Sequence, residues 1–193
     1  MITPSTGDAL VIVDVQQDFL PGGALAVPQG DEVVPVLNRY LERFTAAGLP
    51  IYATRDWHPP DHCSFQGQGG PWPVHCVAGT PGARFADALL LPPDTIIISK
   101  GTDSRREAYS GFAGTDLEDR LRQADIHRLW IGGLATDYCV KQTVSDALQR
   151  GWDVLLLTDA VRAVDAEAGD GRRAIEAMVR AGARAVTWKD VEP

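Results

Sequence analysis

The fold of this chain is decided by the stretch Arg128-Leu-Trp-Ile-Gly-Gly-Leu-Ala-Thr-Asp-Tyr-Cys139-Val-Lys-Gln-Thr143. Its first residues, up to Ile131, are apolar and typical of a buried strand, and two glycines then interrupt the pattern. From Cys139 onward the apolar residues fall at helical spacing, and Gly151 supplies a stop signal. The stretch therefore predicts a strand, a tight turn and a helix that begins at a cysteine.

The position of Cys139 at a predicted helix start suggests a chemical role. Unpaired N–H groups and the positive end of the helix dipole favour an anion there. We therefore expect the pKa of this thiol to be lowered, which favours a nucleophile, and the same N–H groups can hold an oxyanion. The alternative is a small buried hydrophobe, which is the commoner role of a lone cysteine, and this stretch alone does not decide between them.

The rest of the chain alternates predicted strands with predicted helices, which indicates an α/β domain with a mostly parallel sheet. The other predicted strands cover residues 9–15, 50–54, 95–100, 153–159 and 185–188. The predicted helices include a stripe from Val33 to Phe44, a short helix over 85–91, one over 115–124 that opens on the capping-box spacing of Thr115 and Glu118, and a last one around 174–182. We expect one domain over 1–193 with a functional loop insertion at about 55–81.

Composition limits the kind of partner. The chain has 193 residues, 45% of them apolar, and a formal charge of −8 without a Lys/Arg cluster, which argues against nucleic acid or an anionic membrane. Asp14 interrupts the first apolar run, so neither a signal peptide nor a membrane span is expected. Three cysteines fit no disulfide framework, which predicts a cytoplasmic protein, and a homo-oligomer stays open.

Reactive side chains follow four successive predicted strands. Asp14 follows the first, the run Arg55-Asp-Trp-His58 the second, Lys100 the third and Cys139 the fourth. In parallel sheets ligands bind at this edge. Alone, Asp14 fits a helix cap or ion pair, and Lys100 a side chain that reaches solvent. Together with Cys139 they form a chemical set: a carboxylate that takes the thiol proton and an ammonium that holds both anions.

Three of the four histidines lie in the loop 55–81, together with Asp56. Imidazoles and a carboxylate suit Zn²⁺, Fe²⁺ or Mn²⁺, so we expect one divalent metal ion per chain held by Asp56, His58, His62 and His75. Ordinary surface histidines are the alternative, but they do not explain the clustering. Cys63 and Cys76 are expected to be packing residues. Two aromatic residues of the active loops, Phe19 and Trp72, are either core or walls for a flat ring.

These residues resemble the nicotinamidases, the nicotinamide and pyrazinamide deamidases among the isochorismatase-like hydrolases. The resemblance covers nearly the whole chain and rests on five motifs in order: Asp14-Val-Gln-Gln-Asp-Phe19 with Pro21-Gly-Gly; Arg55-Asp-Trp-His-Pro with His62; Trp72-Pro-Val-His75-Cys; Lys100-Gly-Thr with Tyr109-Ser-Gly-Phe112; and Gly133-Leu-Ala-Thr-Asp-Tyr-Cys139-Val. It implies a three-layer α/β/α sandwich with a six-stranded parallel sheet and a role in NAD salvage.

The resemblance also implies roles for individual residues. Cys139 would be the nucleophile, Asp14 the general base and Lys100 the orienting cation. The N–H groups of Ala135 and Cys139 would form an oxyanion hole behind a cis peptide that precedes Ala135. The implied metal ligands are Asp56, His58, His62 and His75, and the implied metal binds the pyridine nitrogen of the substrate. The implied substrate contacts are Phe19, Trp72, Tyr109 and Ala135.

Three functions are compatible with these residues. The first is hydrolysis of nicotinamide through a thioester. The second is hydrolysis of another small amide beside a structural metal, and the third is a binding protein without catalysis. The complete Cys139–Asp14–Lys100 set argues against the third, and the Asp-Trp-His…His…His cluster favours the first over the second.

Overall fold

A computed structural model of the chain describes residues 1–191 and shows an α/β fold with one six-stranded sheet. Residues 192 and 193, which the predicted domain includes, lie outside the described residues. The strands are β1 Asp8–Val13, β2 Ile51–Asp56, β3 Ile96–Lys100, β4 Arg128–Leu134, β5 Asp153–Arg162 and β6 Arg184–Val186. The helices are α1 Val33–Ala46, α2 Leu117–Gln123, α3 Lys141–Gln149 and α4 Asp170–Arg180, with a π-helical turn at Thr136–Val140 before α3.

The sheet has the order β3-β2-β1-β4-β5-β6, and every neighbouring pair is parallel. β2 and β3 are therefore added on one side of β1, and β4, β5 and β6 are added in turn on its other side. Parallel sheets of this order bind ligands at the carboxyl ends of the strands where the direction reverses. That point lies between β1 and β4, directly before Asp14 and the turn that carries Cys139.

β1 is a continuous apolar run because both of its faces are covered. Leu10 and Ile12 pack into the core with α1, whereas Val11 and Val13 pack into a second core with α2 and α3. Strands buried on both faces need apolar residues at every position, whereas half-exposed strands alternate. Helices on both faces give the three layers that the resemblance implies, and the α/β prediction is confirmed.

Gly133 allows β4 to approach β1 at the reactive edge. It adopts a φ of 124°, which side chains disfavour, and a Cβ at this position would overlap the backbone of Val13. The glycine pair therefore serves strand packing and the turn that follows.

The predicted helix over 85–91 is wrong. Phe85 instead forms an antiparallel bridge with Gln16, and the N–H of Ala86 donates to the carbonyl of Val15. The backbone pairs with the segment after β1, so its hydrogen bonds go to a distant part of the chain. Tertiary pairing of this kind overrides a short local helical pattern.

Several boundaries also differ from the sequence-based predictions. The Thr115–Glu118 capping box does not form, because α2 begins at Leu117 and the hydroxyl of Thr115 donates to the carbonyl of Gly111. β5 continues to Arg162, beyond the predicted end at Asp159, since its last residues pair with the end of β4. Among residues 1–191, the structure has no helix that is long and apolar enough to cross a membrane.

Candidate active site

A cavity opens at the carboxyl edge of the sheet, beside the ends of β1 and β4. It holds about 470 Å³ of empty space, counting the part that is open to solvent. Its walls include eight of the predicted site residues: Phe19, Asp56, His58, Trp72, His75, Tyr109, Ala135 and Cys139. Lys100 and Asp14 lie next to it, fully buried.

The Lys100 ammonium is the centre of the buried polar network. Its Nζ lies 2.8 Å from Asp14 Oδ2 and 2.6 Å from Asp56 Oδ1. It also donates to the carbonyl of Ala108 at 3.0 Å and lies 3.5 Å from Cys139 Sγ. The two carboxylates raise the pKa of Lys100 well above its usual value, in spite of burial. The lysine therefore stays charged beside the thiol.

The two oxygens of the Asp14 carboxylate contact different groups. Oδ1 accepts a 2.6 Å hydrogen bond from the hydroxyl of Thr54. Oδ2 faces Lys100 but receives no aligned hydrogen bond from the described residues. Burial raises the pKa of Asp14, and Lys100 only partly opposes it. One oxygen of this carboxylate lies within 4.8 Å of Cys139 Sγ, so a carboxylate that is more basic than usual lies close to the thiol.

Cys139 lies in the π-helical turn and is buried. Burial raises the pKa of its thiol well above the usual value, and although Lys100 opposes this, the carboxylates of Asp14 and Asp56 add to it. The lowered pKa expected from the helix start is therefore wrong, because desolvation and two nearby negative charges outweigh the helix dipole and the ammonium. A protonated thiol of this kind needs a base before it can attack.

Asp56, His58 and His75 present ligand atoms within 4.8 Å of one another. The Nδ1 atom of His58 lies 2.9 Å from the carbonyl of Gly101, and that of His75 lies 2.8 Å from the carbonyl of Pro73. A carbonyl only accepts, so each Nδ1 carries a proton, which leaves Nε2 as the ring nitrogen that can bind a metal. Burial lowers the pKa of His75, which favours the neutral imidazole that a metal needs.

The charges of this cluster fit a divalent cation. Asp14 and Asp56 share a single lysine ammonium in a buried network, so a further cation beside Asp56 would balance the second carboxylate. The second oxygen of Asp56, Oδ2, lies 3.6 Å from His58 Nε2, so carboxylate and imidazole converge. Although burial opposes it, Asp56 raises the pKa of His58, so a bound metal ion would have to displace a proton from that imidazole. One carboxylate and two imidazoles are a common donor set for zinc and leave room for a further ligand.

His62 does not join this group. Its Nδ1 lies 2.7 Å from the hydroxyl of Ser64, and its Nε2 lies 3.1 Å from the carbonyl of Arg106. The ring instead stacks on His58, with centroids 4.1 Å apart. The structure thus brings together three of the four residues predicted as ligands.

Aromatic side chains from separate loops wall the cavity. Trp72 donates a 3.0 Å hydrogen bond from Nε1 to the hydroxyl of Tyr109 and meets Tyr138 edge to face at 5.0 Å. Phe19 packs against His75 at 5.7 Å. These rings suit a flat apolar ligand, whose faces they can cover. Ala135, which lines the same cavity, follows a cis peptide bond from Leu134, as the resemblance implies.

Three residues near the site were missed from the sequence. Thr54 holds Asp14, and Tyr138 is part of the aromatic wall. Gln16 is fully buried and binds both backbone groups of Asp56, donating to its carbonyl at 2.8 Å and accepting from its N–H at 2.7 Å. Polar residues directly after or within apolar strands are the signal that would have found Gln16 and Thr54, since buried polar groups need partners.

The family model described as the isochorismatase domain matches residues 8–190. The nicotinamidase of Escherichia coli (strain K12) is 40% identical over 205 residues, covering 95% of this chain and 96% of that protein.

Two solved structures are similar across almost the whole chain. The pyrazinamidase of Pyrococcus horikoshii, solved in complex with zinc, has a TM-score of 0.91 and 50% identity, covering 94% of this chain and 99% of that one. PnC1 from L. infantum, solved in complex with nicotinate, has a TM-score of 0.91 and 34% identity, covering 99% and 98%. With the parallel sheet and the matched residues, these similarities place the chain in the isochorismatase family.

Proposed function

We propose that this chain is a metal-dependent nicotinamidase, which hydrolyses nicotinamide, and also pyrazinamide, to the acid and ammonia. The observation that carries the proposal is that the buried Cys139–Lys100–Asp14 network and the Asp56, His58 and His75 side chains meet at one aromatic-walled cavity. The similarity to a nicotinamidase and to a nicotinate-bound structure supports the choice of substrate. The cellular role that follows is NAD salvage.

The first step is deprotonation of Cys139 during attack. The Sγ proton passes to Asp14, whose raised pKa makes it an effective base, and Lys100 stabilises the sulfur as it becomes negative. Sulfur forms a bond to the carboxamide carbon, and the electron pair of the C=O bond moves to oxygen. The N–H groups of Ala135 and Cys139 are the proposed donors to that oxyanion.

The second step expels ammonia. The C–N bond breaks, and nitrogen leaves with the proton that Asp14 took from the thiol, so a thioester to Cys139 remains. Asp14, again a carboxylate, takes a proton from a water that attacks the thioester. The C–S bond breaks, the acid is released, and the sulfur recovers its proton from Asp14.

Asp56, His58 and His75 are the proposed ligands of a divalent metal, with zinc as the proposed ion because the P. horikoshii structure holds zinc. When bound, the ion would supply an electron-pair acceptor for the ring nitrogen of the substrate. Phe19, Trp72 and Tyr109 are the proposed ring contacts, which orient the carboxamide toward Cys139.

Ammonia release from matched amides tests the proposal. Nicotinamide and pyrazinamide have a ring nitrogen at the same position, whereas benzamide has a C–H there. Sites built around one polar contact reject analogues that lack it, so we expect benzamide to be worse by roughly 100-fold or more in kcat/KM. The Cys139→Ala variant is the control for a contaminating amidase and should release no ammonia.

The other outcomes select other functions. Equal rates for nicotinamide and benzamide would indicate a general small-amide hydrolase with a structural metal. Binding of nicotinamide without ammonia release from any amide would indicate a binding protein.

A further inference from the structure

The Asp137 carboxylate joins the turn that carries Cys139 to the segment that follows β5. Its Oδ1 accepts a hydrogen bond from the N–H of Val164 at 3.0 Å, and its Oδ2 accepts one from the N–H of Asp165 at 3.0 Å. Asp137 lies two residues before Cys139, in the same π-helical turn. Val164 lines the cavity and packs against the core. One side chain thus ties the nucleophile's turn to a wall of the cavity.

The same segment is held from its other side by α4. Asp165 adopts a left-handed φ of 51°, and its Oδ1 accepts a 2.7 Å hydrogen bond from the N–H of Gly171 in the first turn of α4. A Cβ on Gly171 would lie 2.5 Å from the Cβ of Ala163, so only glycine allows this approach. The segment around Val164 is therefore fixed between α4 and Asp137.

We propose that Asp137 is a positioning residue that sets the width of the substrate cavity by holding Val164. The proposal rests on the proposed amidase function of this site. A carboxylate binds two consecutive backbone N–H groups more strongly than neutral acceptors do, which restrains both residues at once. Without it, both N–H groups lose their acceptor and the wall can move outward. A fixed valine wall excludes substrates with an added ring substituent, and a loose one admits them.

Substrate selection is the measurement that separates positioning from general stability. The substrates are nicotinamide and a panel of ring-methylated nicotinamides. In Asp137→Ala and in Val164→Ala we expect the kcat/KM ratio of at least one methylated substrate to nicotinamide to rise by about tenfold, the usual worth of one methyl group in a pocket. Asp137→Asn keeps one of the two acceptor oxygens and should give a smaller rise in this ratio. It replaces Asp137→Ala in the test if the alanine variant does not fold.

A double variant tests whether Asp137 acts through Val164. If it does, Asp137→Ala with Val164→Ala should have the same ratio as Val164→Ala alone, since coupled residues are not additive. Glu167→Ala is the matched control, because Glu167 is an exposed acid near the same segment and should leave the ratio unchanged. An equal loss of activity toward all substrates in the Asp137 variants, or an additive double variant, would overturn the proposal.

Backbone amide exchange keeps this test separate from the proposed function. The N–H groups of Val164 and Asp165 should exchange slowly in the wild type and faster in Asp137→Ala, measured by NMR without substrate. If these two N–H groups still exchange slowly in Asp137→Ala, Asp137 does not hold Val164, and the proposal is overturned even if the enzyme is active. A wild type that does not hydrolyse nicotinamide would overturn the proposed function, and the exchange result would still stand for Asp137.

Discussion

Lys100, which is fully buried beside the cavity, donates a 2.6 Å hydrogen bond from Nζ to Oδ1 of Asp56. Asp56 is also one of the three residues whose ligand atoms converge. The ammonium that faces Cys139 and Asp14 therefore also neutralises part of the candidate metal site. The Cys139–Asp14 pair and the candidate metal site therefore share the charge of Lys100, and removal of that charge should affect both.

Replacement of Lys100 by methionine should impair folding stability and activity together. Lys100→Met keeps the length of the side chain but leaves two buried carboxylates without their cation. Loss of one member of a buried ion pair costs about 3–5 kcal/mol in the free energy of unfolding. Urea unfolding and ammonia release measure the two effects, with the exposed Lys189→Met as the control. Wild-type stability in Lys100→Met would contradict the shared-charge arrangement.

Asp14→Asn tests the proton acceptor. The amide keeps the shape and can still accept from Thr54, but it cannot take the thiol proton. We expect kcat for nicotinamide to fall by about 10²-fold or more. Thr54→Val, which removes only the hydrogen bond to Oδ1, should reduce kcat much less. Turnover of Asp14→Asn near the wild-type rate would show that another group deprotonates Cys139.

Metal content distinguishes the histidines. The wild type should carry about one divalent ion per chain, which a strong chelator removes. His75→Ala should lower the metal content sharply, because His75 presents a free Nε2 to Asp56 and His58. His62→Ala should lower it less, since both ring nitrogens of His62 already contact the protein.

His127→Ala is the matched control for this measurement, because His127 is exposed and lies outside the cluster. Elemental analysis of the purified variants gives the metal content directly. An equal loss of metal in His62→Ala and His75→Ala would indicate that His62 is also a metal ligand.

The capping box at Thr187 and Asp190 predicts a pH-dependent contribution to stability. The carboxylate of Asp190 accepts from the N–H and the hydroxyl of Thr187, and these hydrogen bonds lower the pKa of Asp190 below its usual 3.8. A carboxyl group with a lowered pKa in the folded state stabilises the protein above its unfolded pKa, and this contribution is lost as the pH falls through the folded value.

Asp190→Asn should therefore unfold at a lower temperature than the wild type at neutral pH, and the difference should shrink below pH 3.8. Thermal unfolding of both proteins from neutral pH to below pH 3.8 measures this difference, and the substitution Asp87→Asn at an exposed position is the control. A difference between wild type and Asp190→Asn that is independent of pH would exclude the carboxylate as its source.

The sequence by itself determined the sheet and the edge at which the site lies. Continuous apolar runs such as 9–13 need cover on both faces, which is typical of a parallel sheet with helices on both sides. Because parallel strands end at one edge, the residues that follow them were expected to meet there, and Asp14, Lys100 and Cys139 do.

Only the tertiary structure decided how these side chains affect one another. The direction of the Cys139 pKa shift depends on burial and on two carboxylates, Asp14 just after β1 and Asp56 at the end of β2, and no local spacing encodes either. The position of His62 depends on the carbonyl of Arg106, 44 residues away, and the path of 85–91 on its pairing with the segment after β1. Local patterns determine which face a residue presents, whereas desolvation and long-range hydrogen bonds depend on which distant groups the fold brings to that face.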